Sequence, residues 1–156
     1  MHSTVFRALE FNRIRDALVA LALTAPGRAR AAGLEPATSP DEVRARLQTT
    51  AEGAAFTRTG GSLAISAPDD LLDSLARLDV QGVPLDPLQL LGLARLLDST
   101  TTVVAAVRRA SAAGHAHLSD IVAGAASFSD EIAAVRRALE PSGDVSDAAG
   151  PALREI

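Results

Sequence analysis

Cysteine and lysine are both absent from this chain of 156 residues. Without cysteine it cannot form disulfides, zinc knuckles, iron–sulfur clusters or thiol nucleophiles. Without lysine it cannot supply the residue that reaches the terminal phosphates of a nucleotide in a Walker-type loop, and it cannot form a Schiff base. The sequence therefore predicts a segment with no catalytic site and no cofactor of its own.

Aromatic residues and positive charge are also scarce. There are four phenylalanines, no tryptophan and no tyrosine, and the formal net charge is −4. Because single-strand binding stacks bases on aromatic rings and duplex binding needs positive charge, any nucleic-acid contact should depend on a local arginine patch or on other parts of a longer protein. No apolar run approaches the ~20 residues of a membrane span, and the first residues lack a signal-peptide layout. We expect a cytoplasmic protein without membrane contact.

Apolar residues make up 47% of the chain, and many of them are alanine or leucine, which favour helices. We therefore expect an all-α fold, an irregular multi-helix bundle around one long central helix. The first helix should carry Phe11, Ile14, Leu18 and Leu21, whose spacings of three and four residues define one apolar face.

Three polar residues have the sequence context of helix caps. Thr24 precedes a short helix, and Asp86 precedes Pro87. Ser39 is followed by proline and then by Glu42, in the capping-box position. The helix after Ser39 is predicted to pack through one face, formed by Val43, Leu47, Thr50 and Ala54.

The helix that begins at Pro87 is predicted to be central and to reach residue 113, because it is apolar on more than one side. The threonines at 100–102 predict a bend. A short helix near 118–124 follows, and then a last helix with Ile132, Val135 and Leu139 and an extended link at 143–145. Because Pro151 would open a further helix just before the chain ends, we expect a truncated fragment. It would have a core segment at 1–115 and a helical extension at 116–156.

Four blocks of sequence, in order, carry a family resemblance. The first block is Arg7-Ala8-Leu9-Glu10-Phe11 with Ile14, and the third is Gly82-Val83 with Asp86-Pro87. The second block comprises residues 24–27 and 39–42 together with Leu34, Pro36, Leu47 and Glu52. The fourth block comprises residues 143–145 together with Asp147, Ala149, Pro151, Leu153 and Arg154. With them the chain resembles the N-terminal region of the bacterial MutS-two (MutS2) family, the MutS relatives that carry a Smr nuclease domain. It departs from the family pattern at Asn12, where an aspartate is usual, and at Gly150, where a serine cap is usual.

The resemblance implies a role that the residues alone do not show. Family members look like dimeric DNA-binding ATPases and endonucleases, associated with recombination suppression, branched-DNA processing and ribosome rescue. ATP and Mg²⁺ would be bound downstream, since none of the family's nucleotide-binding or nuclease residues falls within 1–156. This segment would form a structural part of the core and lever region of the full-length protein. Its partners would be the rest of its own chain, with DNA or the ribosome reached only through the full-length homodimer.

Two arginine pairs are the candidates for nucleic-acid contact, Arg108 with Arg109 and Arg136 with Arg137. Each pair lies on a predicted helix beside an apolar stripe. The competing interpretation is a solvated face whose charges pair with nearby aspartate and glutamate.

Two other patterns approach known sites. His115, His117 and Asp120 form the one cluster that could hold a metal, but residues two apart on a helix point away from each other, so an exposed turn is preferred. The sequence at 60–64, Gly-Gly-Ser-Leu-Ala, lacks the last glycine of a nucleophile elbow and is predicted to be a loop. We predict no metal site and no catalytic residue.

Two functions compete at this level. The first is a non-catalytic core and lever segment of a MutS-two protein. The alternative is a free-standing helical module for protein–protein interaction or dimerisation, which the leucine-rich helices would also suit.

Overall fold

The structure, a computed structural model, describes residues 10–110 and 114–146. Within these residues there are seven helices and no strand: α1 (Phe11–Leu21), α2 (Ala25–Ala32), α3 (Pro40–Arg58), α4 (Leu71–Leu78), α5 (Pro87–Ala110), α6 (Ala116–Ala123) and α7 (Ser129–Ala138). The predicted all-α class is confirmed. The parts of the family blocks at 7–9 and 147–154, and the helix predicted from Pro151, lie outside the described residues.

The three predicted caps are in place. The Thr24 hydroxyl accepts a hydrogen bond at 3.1 Å from the backbone N–H three positions on, and Ser39 does the same at 3.1 Å. Asp86 accepts one at 2.9 Å from the N–H two positions on. The capping box at Ser39 is only half formed, because Glu42 turns along the helix to bind Arg46. These local bonds explain why the helix starts were predictable.

Helix α5 is the central element, as predicted, and packs against α4, α6 and α7. It runs without interruption through the three threonines, whose hydroxyls donate to the carbonyls four residues back at 2.8–3.0 Å. The predicted bend therefore does not break the helix. Near its start, Gly92 lets Pro68 approach, since a Cβ at this glycine would lie 3.1 Å from the proline ring.

The buried core is small and joins three helices. Phe56 of α3 packs with Val103 and Val107 of α5 and with Leu118 and Val122 of α6. This cluster draws residues from both sides of the division predicted at 115/116, which itself stays a prediction.

Two predicted apolar faces are largely uncovered. On α1, Ile14, Leu18 and Leu21 are exposed, because α1 packs mainly on the short helix α2. On α3 the predicted face is wrong: Leu47 is 64% exposed, whereas Phe56, outside that face, is 4% exposed. Helix α6 is only eight residues long, so it covers one part of the longer α3 and leaves the rest in solvent.

The segment after α7 also differs from the prediction. Leu139 does not belong to the helix but follows it in an extended conformation and forms an antiparallel bridge with Val145. Gly143, at φ 94°, provides the turn between them. Of the extended link predicted at 143–145, only Val145 lies in the bridge, because Gly143 belongs to the turn.

Among the described residues, α5 alone is long and apolar enough to cross a membrane by length and composition. It carries Arg95 and Asp98 near its middle, and Asp98 binds Arg136 of α7. These charges and its three helical neighbours suit the central helix of a bundle. The absence of membrane contact stays a prediction.

Candidate functional site

The histidines singled out as a metal cluster both face α3. The His115 ring packs edge-on against Phe56, with the ring centroids 6.1 Å apart and the planes at 86°. The His117 Nε2 atom lies 3.1 Å from the Gln48 side-chain oxygen. No group of three or more metal-ligating side chains is present in residues 10–110 and 114–146. Both histidines help to dock α6 on α3.

Glu52 makes a contact that sequence reasoning missed. Its Oε2 atom accepts a hydrogen bond at 3.0 Å from the backbone N–H of Leu118, in the first turn of α6. The residue before that helix, His115, offers no side-chain cap. The Glu52 carboxylate of α3 therefore acts as the cap, at the positive end of the helix dipole. A helix start without its own cap was the only signal in the sequence.

The loop resembling a nucleophile elbow is structural. Gly60, at φ 90°, ends α3, and Gly61 lies so close to the Phe56 ring that a Cβ there would overlap it. The Ser62 hydroxyl accepts a bond from the Ala64 backbone N–H at 3.3 Å. No strand precedes this serine in the described chain, so the predicted loop is confirmed.

A polar network joins α4 to the start of α5. Asp70 accepts hydrogen bonds from Gln89 at 2.9 Å and from the fully buried hydroxyl of Ser74 at 3.4 Å. Gln89 in turn accepts a hydrogen bond from the backbone N–H of Asp86 at 3.2 Å, completing a capping box. These bonds hold the first turn of α5 against α4.

The four candidate arginines fall into two groups rather than one patch. Arg136 binds Asp98 of α5 at 2.9 Å, with both side chains about half exposed, and Arg137 is its neighbour. Arg108 and Arg109 lie ten residues or more further along α5, which corresponds to about 15 Å. Within the described residues, Arg136 alone of the four makes an ion pair.

Acidic residues lie at the opposite end of the helix that carries the second pair. Asp130 and Glu131 occupy the first turn of α7, the helix that carries Arg136 and Arg137. The four arginines therefore do not form one continuous basic surface. Their contact with nucleic acid stays a prediction.

Arg108 and Arg109 border a groove on α5. Its volume is about 360 Å³, and residues 125–128, in the loop between α6 and α7, form the opposite wall. We call it the α5 groove; on the helix side its lining includes Leu97, Thr100, Thr101, Val104, Arg108 and Arg109. A groove of this composition suits an apolar surface bearing negative charge.

Comparison with known proteins identifies relatives of the whole chain. Endonuclease MutS2 of Geobacillus thermodenitrificans is 29% identical over 165 residues, which covers all of this chain and 20% of the relative. Endonuclease MutS2 of Levilactobacillus brevis is 27% identical over 158 residues, with the same coverage. The chain is therefore similar to MutS2 endonucleases along its whole length. The MutS2 of Acetivibrio thermocellus is 34% identical over 97 residues, covering 62% of this chain and 12% of the relative.

The chain spans about a fifth of the length of the MutS2 relatives that align with all of it. No family model matches it, and no solved structure does. Of the positions that suggested MutS2, Thr24, Ser39 and Asp86 cap helices, and Glu52 caps α6 from a distance. These four positions of the resemblance therefore stabilise helix starts, whereas others, such as Ile14 and Leu47, are exposed.

Proposed function

We propose that this chain is a non-catalytic helical segment of a MutS2-type protein. The segment acts as a structural relay, which transmits displacements between the other parts of that protein. The observation that carries the proposal is the alignment of the complete chain with one fifth of Endonuclease MutS2 at 29% identity. A chain of this size that aligns with MutS2 along its whole length is expected to form one structural part of a larger protein.

The polar contacts between helices support a structural role. Glu52 joins α3 to α6, Asp70 joins α4 to α5, and Asp98 joins α5 to α7. Each of these carboxylates is engaged in holding one helix against another. Such contacts can transmit a displacement from one end of the bundle to the other, because packed helices move as rigid elements.

In the whole protein we propose a cytoplasmic homodimer that acts on branched DNA, suppresses recombination or rescues stalled ribosomes. ATP and Mg²⁺ would be bound by other regions, since this chain has no lysine for a phosphate loop. DNA or the ribosome would likewise be reached through the full-length protein.

A chimera tests the relay role. This chain replaces the aligned segment of the Geobacillus thermodenitrificans MutS2, and the purified chimera is assayed for endonuclease activity. We expect the activity to be retained, and to be lost when the same segment is deleted. A chimera with normal helix content but no activity would contradict the proposal.

Assays of the 156-residue chain test the absence of chemistry. We expect no ATP hydrolysis and no strand cleavage. Gel-shift titrations should give dissociation constants in the range of non-specific binding, about 10⁻⁴–10⁻⁶ M, for linear and branched duplexes alike. Turnover of either substrate, or sub-micromolar salt-sensitive binding, would overturn this view.

A free-standing interaction module is the second candidate. Among the described residues, nine apolar residues are buried while seventeen large apolar side chains are at least 36% exposed, an excess that favours a surface covered by something else. An immunoblot of the source organism separates the two candidates. A MutS2-type protein should migrate at about five times the 16.0 kDa of this chain, whereas a free-standing module should migrate near that mass.

A further inference from the structure

The α5 groove has small residues on both of its walls. The wall on α5 includes Ala105, and the opposite wall includes Ala125 and Ala126. Because an alanine side chain is a single methyl group, the walls do not meet, and a volume of about 360 Å³ stays open between them. Phe128, which is 38% exposed, lines the same groove. The space is therefore bounded mainly by methyl groups and one aromatic ring.

A second cavity opens beside the α5 groove, and we call it the apolar hollow. Its volume is about 370 Å³. Thr100, Val104 and Ala125 line both cavities, so the two are neighbours. The other residues that line the hollow are all apolar and include Leu63 and Ile121, which are 39% and 66% exposed. The two cavities together offer a continuous apolar surface that is open to solvent.

The hydroxyl groups beside this surface already have partners. Thr100 and Thr101 donate their hydroxyl protons to carbonyls of their own helix, at 2.8 and 2.9 Å. The hydroxyl oxygens of Ser127 and Ser129 lie 3.1 Å apart and share a hydrogen bond. Among the described residues, no acidic or amide side chain lines either cavity. A ligand would therefore make mostly apolar contacts along the floor.

Positive charge borders the α5 groove without a matching carboxylate. The charged residues in its lining are Arg108 and Arg109, and no carboxylate of the described chain lies within ion-pair distance of either. Arg108 donates one long hydrogen bond, 3.4 Å, to the carbonyl of Val122, a residue that lines the hollow. Its guanidinium group therefore reaches from the groove toward the hollow. Since a guanidinium group has five N–H donors, this one bond leaves it able to bind an anion.

The position of the two arginines favours a carboxylate as that anion. Both lie in the last turn of α5, where backbone carbonyls rather than N–H groups lack helical partners. The helix start beside the groove, that of α7, carries Asp130 and Glu131 in its first turn, which disfavours a doubly charged phosphate there. A carboxylate has one negative charge, and its two oxygens can accept paired hydrogen bonds from a guanidinium group.

We propose that the α5 groove and the apolar hollow together bind a small apolar monocarboxylate, such as a fatty acid of medium length. The hydrocarbon part lies over Val104 and Ala125, and the carboxylate accepts hydrogen bonds from Arg108 and Arg109. Cavities of this volume, mainly apolar and with few polar groups, are typical of small-molecule sites. The binding is a property of this chain and does not depend on the relay role, which the chimera tests separately.

Nucleic acid is a poorer occupant of the same surface. Its phosphates would have to lie over the apolar floor at Val104 and near the carboxylates of Asp130 and Glu131. Its bases would find one aromatic ring, Phe128, where single-strand sites stack successive bases on several rings. A monocarboxylate matches both the apolar floor and the two arginines.

Two probes that differ in charge test the site. Octanoate and its uncharged counterpart octanol are titrated separately into the isotopically labelled chain, and the amide shifts in nuclear magnetic resonance spectra report affinity and location. We expect octanoate to bind with a Kd of about 0.1 mM, with the largest shifts at residues 100–109 and 121–128. Octanol should bind about tenfold more weakly, because it lacks the charge that the arginines bind.

Variants separate the charge from the apolar surface. Arg108→Gln with Arg109→Gln should weaken octanoate at least about tenfold and leave octanol unchanged. The matched control, Arg136→Gln with Arg137→Gln, removes the same charge from the last turn of α7, outside both cavities, and should bind octanoate like the unaltered chain. Ala125→Leu fills part of both cavities and should weaken both probes. Circular dichroism checks helix content, because Arg108 and Arg109 also suit the negative end of the α5 dipole.

Several results would overturn the proposal. Octanoate could cause no saturable shifts up to about 5 mM, octanol could bind as tightly as octanoate, or the α7 control could lose octanoate binding as completely as the Arg108 and Arg109 variant. Stronger shifts of the same amides by duplex DNA, or by an acidic amphipathic peptide, than by octanoate would assign the groove to nucleic acid or to a protein segment instead.

Discussion

Replacing Phe56 by alanine should remove the centre of the small core. The ring is 4% exposed and packs with α5 and α6 residues and against His115. Burying about 150 Å² of ring surface at about 25 cal/mol per Å² corresponds to nearly 4 kcal/mol. The range for buried Phe→Ala changes is similar, about 3–5 kcal/mol.

That loss would be a large share of the total stability. Domains of this size unfold with about 5–15 kcal/mol, and this one has nine buried apolar residues in its described part. A loss of about 4 kcal/mol from about 5–15 kcal/mol leaves roughly 1–11 kcal/mol, so we expect Phe56→Ala to stay mostly folded in water and to unfold at a much lower urea concentration. Since α3, α5 and α6 meet at this ring, the loss should affect all three helices in one transition.

Urea unfolding followed by far-ultraviolet circular dichroism measures the effect, because the chain has no tryptophan or tyrosine to report by fluorescence. The matched control is Leu47→Ala on the same helix, which removes a side chain that is 64% exposed and should change stability by less than about 0.5 kcal/mol. If the two substitutions cost the same, or if Phe56→Ala costs less than about 1 kcal/mol, the assignment of the core is wrong.

Three smaller predictions use the same assay. Glu52→Ala should lower the free energy of unfolding by about 1 kcal/mol through loss of the α6 cap. Glu52→Gln should lower it less, because glutamine keeps an acceptor oxygen, and equal losses would contradict the capping role. Gly61→Ala should lower the free energy of unfolding by about 1–3 kcal/mol, because the added methyl group overpacks the buried Phe56 ring. Gly124→Ala should change it little, because nothing lies within 4 Å of a Cβ at that position. Similar losses at both glycines would count against this packing. A double-mutant cycle on Asp98 and Arg136 should give a coupling of about 0.2–1 kcal/mol that weakens in concentrated salt, and a salt-independent coupling would refute a solvent-screened pair.

Local features of the chain were predictable because they depend on neighbours in sequence. The caps at Thr24, Ser39 and Asp86 act within three residues of each helix start, so the residue type alone indicates the boundary. The all-α class followed in the same way from the abundance of alanine and leucine. The family resemblance was readable as well, since the cap positions are among those that carry it.

Which faces are covered could not be read from helical periodicity. A stripe such as Ile14, Leu18 and Leu21 shows that a helix is amphipathic, but burial needs a second element of matching length in the right place. For α3 that element is the short helix α6, which reaches Phe56 and leaves Leu47 in solvent.

The helices, their starts and the lack of thiol and lysine chemistry could be predicted from the chain, because they depend on composition and on contacts within a few residues. Three features became visible in the folded structure: Glu52 caps α6, Leu139 leaves its helix, and the arginines form two separate groups. The first and the last depend on residues far apart in sequence, whose approach is set by the packing of α3, α6 and α7 around α5, whereas Leu139 pairs with the nearby Val145.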